Sequence, residues 1–225
     1  FYAKNPTFVI PDFRFNEIRA FVERGLEDFS ISRLKSKMPW GIAVPGDDSQ
    51  VMYVWFDALV NYISTLGWPC SAEATQGEPE NDFQKFWIHG NPTQYCGKDN
   101  LRQQSAMWQA MLMAANLPNS KQIVINGFFT GEGGMKMSKS IGNVIDPYTV
   151  VEQFGLDALR YYVVAEVSMF EDSPVSMELI AASYNAKLAN GLGNLTSRIM
   201  KMASTNLESA PEIPEMTIPK EYFDH

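Results

Sequence analysis

Cysteine and histidine are scarce in this chain of 225 residues: Cys70, Cys96, His89 and His225 are all there is. Two cysteines cannot build a disulfide scaffold or a four-cysteine zinc site, and two histidines add little to a case for a metal. Long apolar runs are missing too. None approaches the ~20 residues of a membrane span, and no basic segment followed by an apolar one marks a signal sequence, so the expected compartment is cytoplasmic. Positive charge is in the minority, with 18 basic residues against 26 acidic ones for a net −8. That excludes a blanket electrostatic nucleic-acid binder and leaves room only for local basic patches. No internal repeat is visible. The chain opens at Phe1, as a piece of a longer sequence would.

What is present is ordinary globular composition, 45% hydrophobic and 20% charged, enough for a substantial core in one or two domains. From Asp12 to Leu26, Phe15, Ile18, Val22 and Leu26 recur at helical spacing. Arg14, Glu17, Arg19 and Glu23 lie mainly opposite, which predicts an amphipathic helix. Ser30 to Trp40 carries Arg33, Lys35 and Lys37 without an acid, and Pro39, Gly41, Pro45 and Gly46 then mark turns. The apolar run from Val51 to Phe56 predicts a strand covered on both faces, with Asp57 capping a helix through Leu66. Ser71 to Asp82, polar and with four acids, predicts an exposed connection.

The pattern repeats. Phe86 to Ile88 predicts a short strand, Asn100 to Asn116 a helix that Pro118 stops, and Gln122 to Ile125 another buried strand. Strands alternating with helices predict an α/β fold with a parallel sheet, because parallel neighbours need a crossover long enough to hold a helix. After Pro147 the chain turns helical. Leu188, Leu192, Leu195, Ile199 and Met202 step by four and three, the seam of a helix packed on other helices. From Thr205 the tail carries five acids, one lysine and three prolines, and reads as a linker or frayed end.

The stretch that carries chemistry follows the Gln122–Ile125 run: Gly127-Phe128-Phe129-Thr130-Gly131-Glu132-Gly133-Gly134-Met135-Lys136-Met137-Ser138-Lys139-Ser140. Its glycines allow positive φ and close approach to a ligand. Two lysines three apart, beside two hydroxyls, could neutralise charge on a polyphosphate at the carboxyl end of a parallel strand, where open α/β sheets bind nucleotides. A solvated flexible turn would have the same composition. The loop is not the phosphate loop that ends in Gly-Lys-Ser/Thr, because Lys136 follows a methionine and no helix start is obvious.

Lys136-Met137-Ser138-Lys139-Ser140 is identical to the signature loop of class I aminoacyl-tRNA synthetases. Asp28-Phe29-Ser30-Ile31-Ser32-Arg33, Val54-Trp55-Phe56-Asp57-Ala58, Gly97-Lys98-Asp99 and Gly142-Asn143-Val144-Ile145-Asp146-Pro147 stand around it in order. Together these blocks resemble the methionyl-tRNA synthetase family, from about Asn16 to Met202. The resemblance implies the second half of a Rossmann-like parallel sheet followed by an α-helical segment. Residues 1–147 would be the C-terminal half of the catalytic core, 148–172 a connecting, stem-contact-like region, and 173–225 the start of a helical anticodon-binding domain with its acidic tail. The implied activity joins methionine to ATP, brought with Mg2+, as methionyl-adenylate and then passes the methionyl group to tRNA(Met).

By the same resemblance Trp55, Ala58, Leu59 and Tyr62 would line the methionine pocket, with Gln104 and Trp108 beside them. An aromatic, apolar cup suits a polarizable thioether, although plain core packing accounts for such residues as well. Gly97 and Asp99 would hold the ribose of ATP, Phe129 would meet adenine through its backbone, and Lys136, Met137 and Lys139 would meet the triphosphate. Lys136, Lys139 and Arg33 are the implied catalytic residues, Arg33 being equally suited to a structural ion pair. The His-Ile-Gly-His type motif and the half-sheet that bears it are absent, as are zinc-knuckle cysteines, so no metal site is expected in this chain. Gln104 and Asn126 stand where many members have histidine. A site divided in this way implies that the missing N-terminal half comes in cis or in trans, and that the chain alone is nearly inactive. Two other readings stay open: a non-catalytic tRNA-binding module, and a class I synthetase for leucine, isoleucine, valine or cysteine.

Overall fold

The computed structural model describes residues 1–68, 81–138 and 142–209. Two compact units are present. The first is Phe1–Phe128 with Ser168–Ser173; the second begins with Phe129–Val167 and resumes at Pro174.

In the first unit, strand β1 (Val9–Ile10) leads into helix α1 (Asp12–Glu23). Strands β2 (Ser32–Leu34), β3 (Ala43–Val44) and β4 (Asp47–Met52) follow, then short helices α2 (Val54–Ala58) and α3 (Asn61–Ser64). Beyond residue 80 come strand β5 (Thr93–Gly97), helix α4 (Trp108–Ala114) and strand β6 (Gln122–Asn126). Strands β1, β6 and β5 form a parallel sheet in that order, with Val9 opposite Ile123 and Cys96 opposite Ile125. The expected parallel α/β architecture is therefore what the chain adopts. α1 lays Phe15 and Ile18 on this sheet against Phe8, Val9, Leu101, Ile123 and Ile125. Leu26, expected on the same face, lies beyond the helix end and is exposed, because Gly25 takes a positive φ there.

Two expected strands are not strands of that sheet. The Val51–Phe56 run divides: Val51 and Met52 finish β4, which lies in an antiparallel sheet of order β2-β4-β3, and α2 begins at Val54. Asp57 sits inside α2 instead of capping it. Phe86–Ile88 belongs to a wide helical turn over Phe83–Ile88, where the His89 N–H reaches back five residues to the Gln84 carbonyl at 2.9 Å. Asn81 caps that turn by accepting from the Gln84 N–H at 2.9 Å. A short aromatic run satisfies strand and helix equally, and here the cap decides. This segment buries Phe83 and Trp87 with Leu59, Ile63, Trp108 and Leu112 in a second core cluster. The Ser71–Asp82 connection lies almost wholly outside the described residues.

The second unit is helical as expected: α5 (Pro147–Phe154), α6 (Leu156–Ala165), α7 (Met177–Ser183), a wide helical stretch over Tyr184–Gly193, and α8 (Asn194–Asn206). Asp146 caps α5 through the Tyr148 N–H, with Pro147 at the first helical position. Ser176 caps α7 through the Leu179 N–H. Val150, Tyr162 and Ile180 form the core. The expected leucine seam is helical but uncovered, with Leu192, Leu195, Ile199 and Met202 all exposed. The tail beyond residue 209 lies outside the described residues.

Candidate active site

Helix α2 and the turn before α4 bring most of the expected pocket residues together. Leu59 and Trp108 are 1% exposed and Gln104 3%, while Trp55 and Tyr62 pack half-buried against the same cluster. The Gln104 side-chain amide donates to the Tyr62 hydroxyl at 2.9 Å. Trp108 meets Tyr62 at 6.0 Å and Trp87 edge-on at 5.9 Å between ring centroids. Ala58 is the exception, exposed on α2. Gln104 Oε1 and Trp108 Nε1 are buried without a hydrogen-bond partner among the described residues. Buried polar atoms usually find partners, so an otherwise apolar wall here retains unspent hydrogen-bonding capacity.

The carboxyl ends of β5 and β6 lie side by side, with Gly97 opposite Asn126. A Cβ on Gly97 would come within 2.9 Å of Asp99 Oδ1 and 3.1 Å of the Phe128 ring, so only glycine lets both approach the strand end. Lys98, between the two expected ribose residues, pairs with Asp172 at 2.6 Å and lies 4.8 Å from the Phe128 ring centroid. Asp172 also accepts from the Phe128 N–H at 3.0 Å. The hydrogen bond from Lys98, helped by that from Phe128, holds the Asp172 carboxyl below the usual carboxylate range. Sequence reasoning missed Asp172, which stands 74 residues from Lys98 in no motif. Burial, with Asp99 adding to it, pushes the Cys96 thiol up to about 12, so it is no thiolate nucleophile at neutral pH.

Arg33 on β2 is held without a carboxylate partner among the described residues. Its guanidinium donates to the carbonyls of Ser30 at 3.1 Å and Ser32 at 2.8 Å and stacks 3.9 Å above Tyr53. The structural ion pair weighed for it is thus not what fixes it.

The signature loop belongs to the second unit. Thr130 bridges to Lys136 across a tight turn, where the Gly131 N–H meets the Met135 carbonyl at 2.7 Å. Gly133 and Gly134 both take positive φ, 71° and 77°, as the glycine count anticipated. Asn143 straps the segment that leaves this turn: its Nδ2 donates to the Lys136 carbonyl at 3.3 Å, and its Oδ1 accepts from the Ser138 N–H at 2.8 Å. Lys136 and Phe129 are exposed and Met137 half-buried. Lys139 lies outside the described residues. Asn143 was within a quoted motif, but nothing in the sequence alone disclosed the strap. Among the described residues no three His, Cys, Asp or Glu side chains cluster as a metal would need, and no helix is long and apolar enough to cross a membrane.

The family model for tRNA synthetases class I (M) matches residues 2–200. The chain is similar to the methionine--tRNA ligase of Thermosynechococcus vestitus, 43% identical over 98% of this chain and 40% of that one. It is also similar to that of Brucella suis, 45% identical over 92% and 38%. Among solved structures it is similar to Mycobacterium tuberculosis methionyl-tRNA synthetase in complex with methionyl-adenylate, with a TM-score of 0.74 and 37% identity over 95% of this chain and 40% of that one. The chain thus spans about 40% of the length of the curated relatives it matches.

Proposed function

Because the chain belongs to the class I tRNA synthetases of the methionine type, we propose that it is part of a methionine--tRNA ligase that activates methionine with ATP and transfers it to tRNA(Met). The observation that carries this reading is the meeting of Leu59, Tyr62, Gln104 and Trp108 beside the carboxyl end of a parallel sheet that presents Gly97 and Asp99. In that role Trp55, Ala58, Leu59 and Tyr62 receive the methionine side chain, with Gln104 and Trp108 behind them. The aromatic faces give the thioether its sulfur–aromatic contact. Gly97 and Asp99 take the ribose, Asp99 by accepting from sugar hydroxyls. Phe129 offers its backbone to adenine, and Met137 spaces the two lysines.

The methionine carboxylate attacks the α-phosphorus of ATP, and the bond to the β,γ-diphosphate breaks as pyrophosphate leaves. Lys136 and Lys139, with the Mg2+ that ATP brings as part of the substrate, stabilise the charge that moves onto the leaving group. Arg33, held by two carbonyls and Tyr53, supports the reacting groups. We assign residues 1–147 to the catalytic core, 148–172 to a connecting region and 173–225 to the start of the anticodon-binding helices, and place the enzyme in the cytoplasm. The rest of the core is supplied in cis or in trans, so the 225 residues by themselves activate methionine weakly or not at all.

Amino-acid-dependent exchange of pyrophosphate into ATP by the full-length protein tests the reading. Methionine should drive exchange; leucine, isoleucine, valine and cysteine should not. Exchange driven by one of those four, or by none of the five, would overturn it.

A further inference from the structure

Helix α4 does not begin as an ordinary α-helix. Over Gln103–Met107 the chain takes a wide, π-type turn, in which the Trp108 N–H reaches back five residues to the Gln103 carbonyl. Such turns are costly and recur at functional sites. Here side chains meet two consecutive carbonyls of the turn: the Gln109 amide donates to that of Gln104 at 2.9 Å, and the Tyr2 hydroxyl donates to that of Ser105.

Gln109 is 2% exposed, and every hydrogen-bonding position of its side chain is used. Besides the Gln104 carbonyl, its Nε2 donates to the Ser120 hydroxyl at 3.1 Å. Its Oε1 accepts from the Ser120 N–H and from Asn119 Nδ2, both at 3.1 Å. The Ser120 hydroxyl in turn donates to Gln94 Oε1 on β5 at 2.6 Å. A buried polar chain therefore runs from the sheet through Ser120 and Gln109 to the backbone of Gln104, whose side chain in turn donates to Tyr62. Buried chains of this kind are stiff, because losing one member leaves the others unpaired.

We propose that Gln109 is a positioning residue for methionine recognition: it anchors the wide turn so that the Gln104 amide is aimed at Tyr62 and the two hold the pocket wall in one geometry. This rests on the function proposed above. Gln109 touches no substrate and acts only through Gln104.

The test uses the full-length ligase and steady-state pyrophosphate exchange. Gln109→Leu should raise KM for methionine about tenfold, leaving KM for ATP unchanged and kcat within about threefold. Ser120→Ala, which removes a single hydroxyl, should raise the methionine KM about threefold, and it carries the comparison if Gln109→Leu does not accumulate. A purely structural role would lower the melting temperature and the active fraction but leave both KM values alone. An unchanged methionine KM in the variants, with an active wild type, overturns the inference and spares the function. A wild type without methionine-dependent exchange overturns the function and this inference with it.

Discussion

The wall built from Leu59, Tyr62, Gln104 and Trp108 and the loop bearing Lys136 are held by opposite means. In the wall, large side chains are buried against one another, and even its polar member is locked between Tyr62 and the Gln109 chain. In the loop, Gly133, Gly134, Met135 and Lys136 are exposed. Positive φ at two glycines sets the turn, and Asn143 ties down the segment that follows. The difference suits the two tasks proposed for them. Discriminating one side chain by shape needs a surface that does not yield, whereas charge on a departing pyrophosphate is stabilised by cations that the backbone presents to it.

Removing a pillar of the wall should produce the largest effect. Trp108→Ala should destabilise the fold by ~3–5 kcal/mol, read from a denaturant midpoint, because a buried indole leaves a cavity that its neighbours only partly fill. A loss below ~1 kcal/mol would mean that the wall is looser than packing indicates. On the loop side stability should hardly change. Lys139→Ala should raise the activation barrier by ~2–4 kcal/mol, a slowing of roughly 30-fold to 10³-fold in single-turnover adenylate formation by the full-length enzyme. tRNA affinity should stay near wild type; a loss of tRNA affinity with adenylation intact would favour the binding-module reading.

The smallest effect concerns pH at the strand ends that join these tasks in sequence. Asp172 is held below its ordinary range by Lys98 and the Phe128 N–H, so its contribution to stability is full above the unfolded-chain value of about 3.9 and disappears as pH falls through the lower folded value. Stability of Asp172→Asn should therefore depend less on pH than wild type as the pH falls below about 4. Parallel curves for the two proteins would show that the pair with Lys98 does not persist in solution.

The same contrast explains what the sequence disclosed. Strand β6 was legible because Ile123, Val124 and Ile125 form an unbroken apolar run between turn signals, and the helix that ends the second unit was legible from the spacing of Leu188 to Met202. Strand β5 was not. Thr93-Gln94-Tyr95-Cys96-Gly97 lacks an apolar alternation because Gln94 faces the buried polar chain and Tyr95 is exposed. The Val51–Phe56 and Phe86–Ile88 runs misled because short apolar segments fit either period, and the turn at Tyr53 and the cap from Asn81 decide between them. The loop was recognisable by its literal residues. The supports of the site, namely Asp172, Asn143, and the Gln109–Ser120–Gln94 chain, were invisible, because each joins positions whose partnership exists only after folding.

The division of labour is tested most directly by one pair of kinetic profiles, recorded on the full-length enzyme with methionine and ATP varied in turn. Gln104→Ala should raise KM for methionine about tenfold with little change in KM for ATP. Asn143→Ala should lower kcat about tenfold with the methionine KM unchanged. If instead both variants shift the same constant, or each shifts the one assigned to the other, wall and loop do not serve separate substrates and the account is wrong.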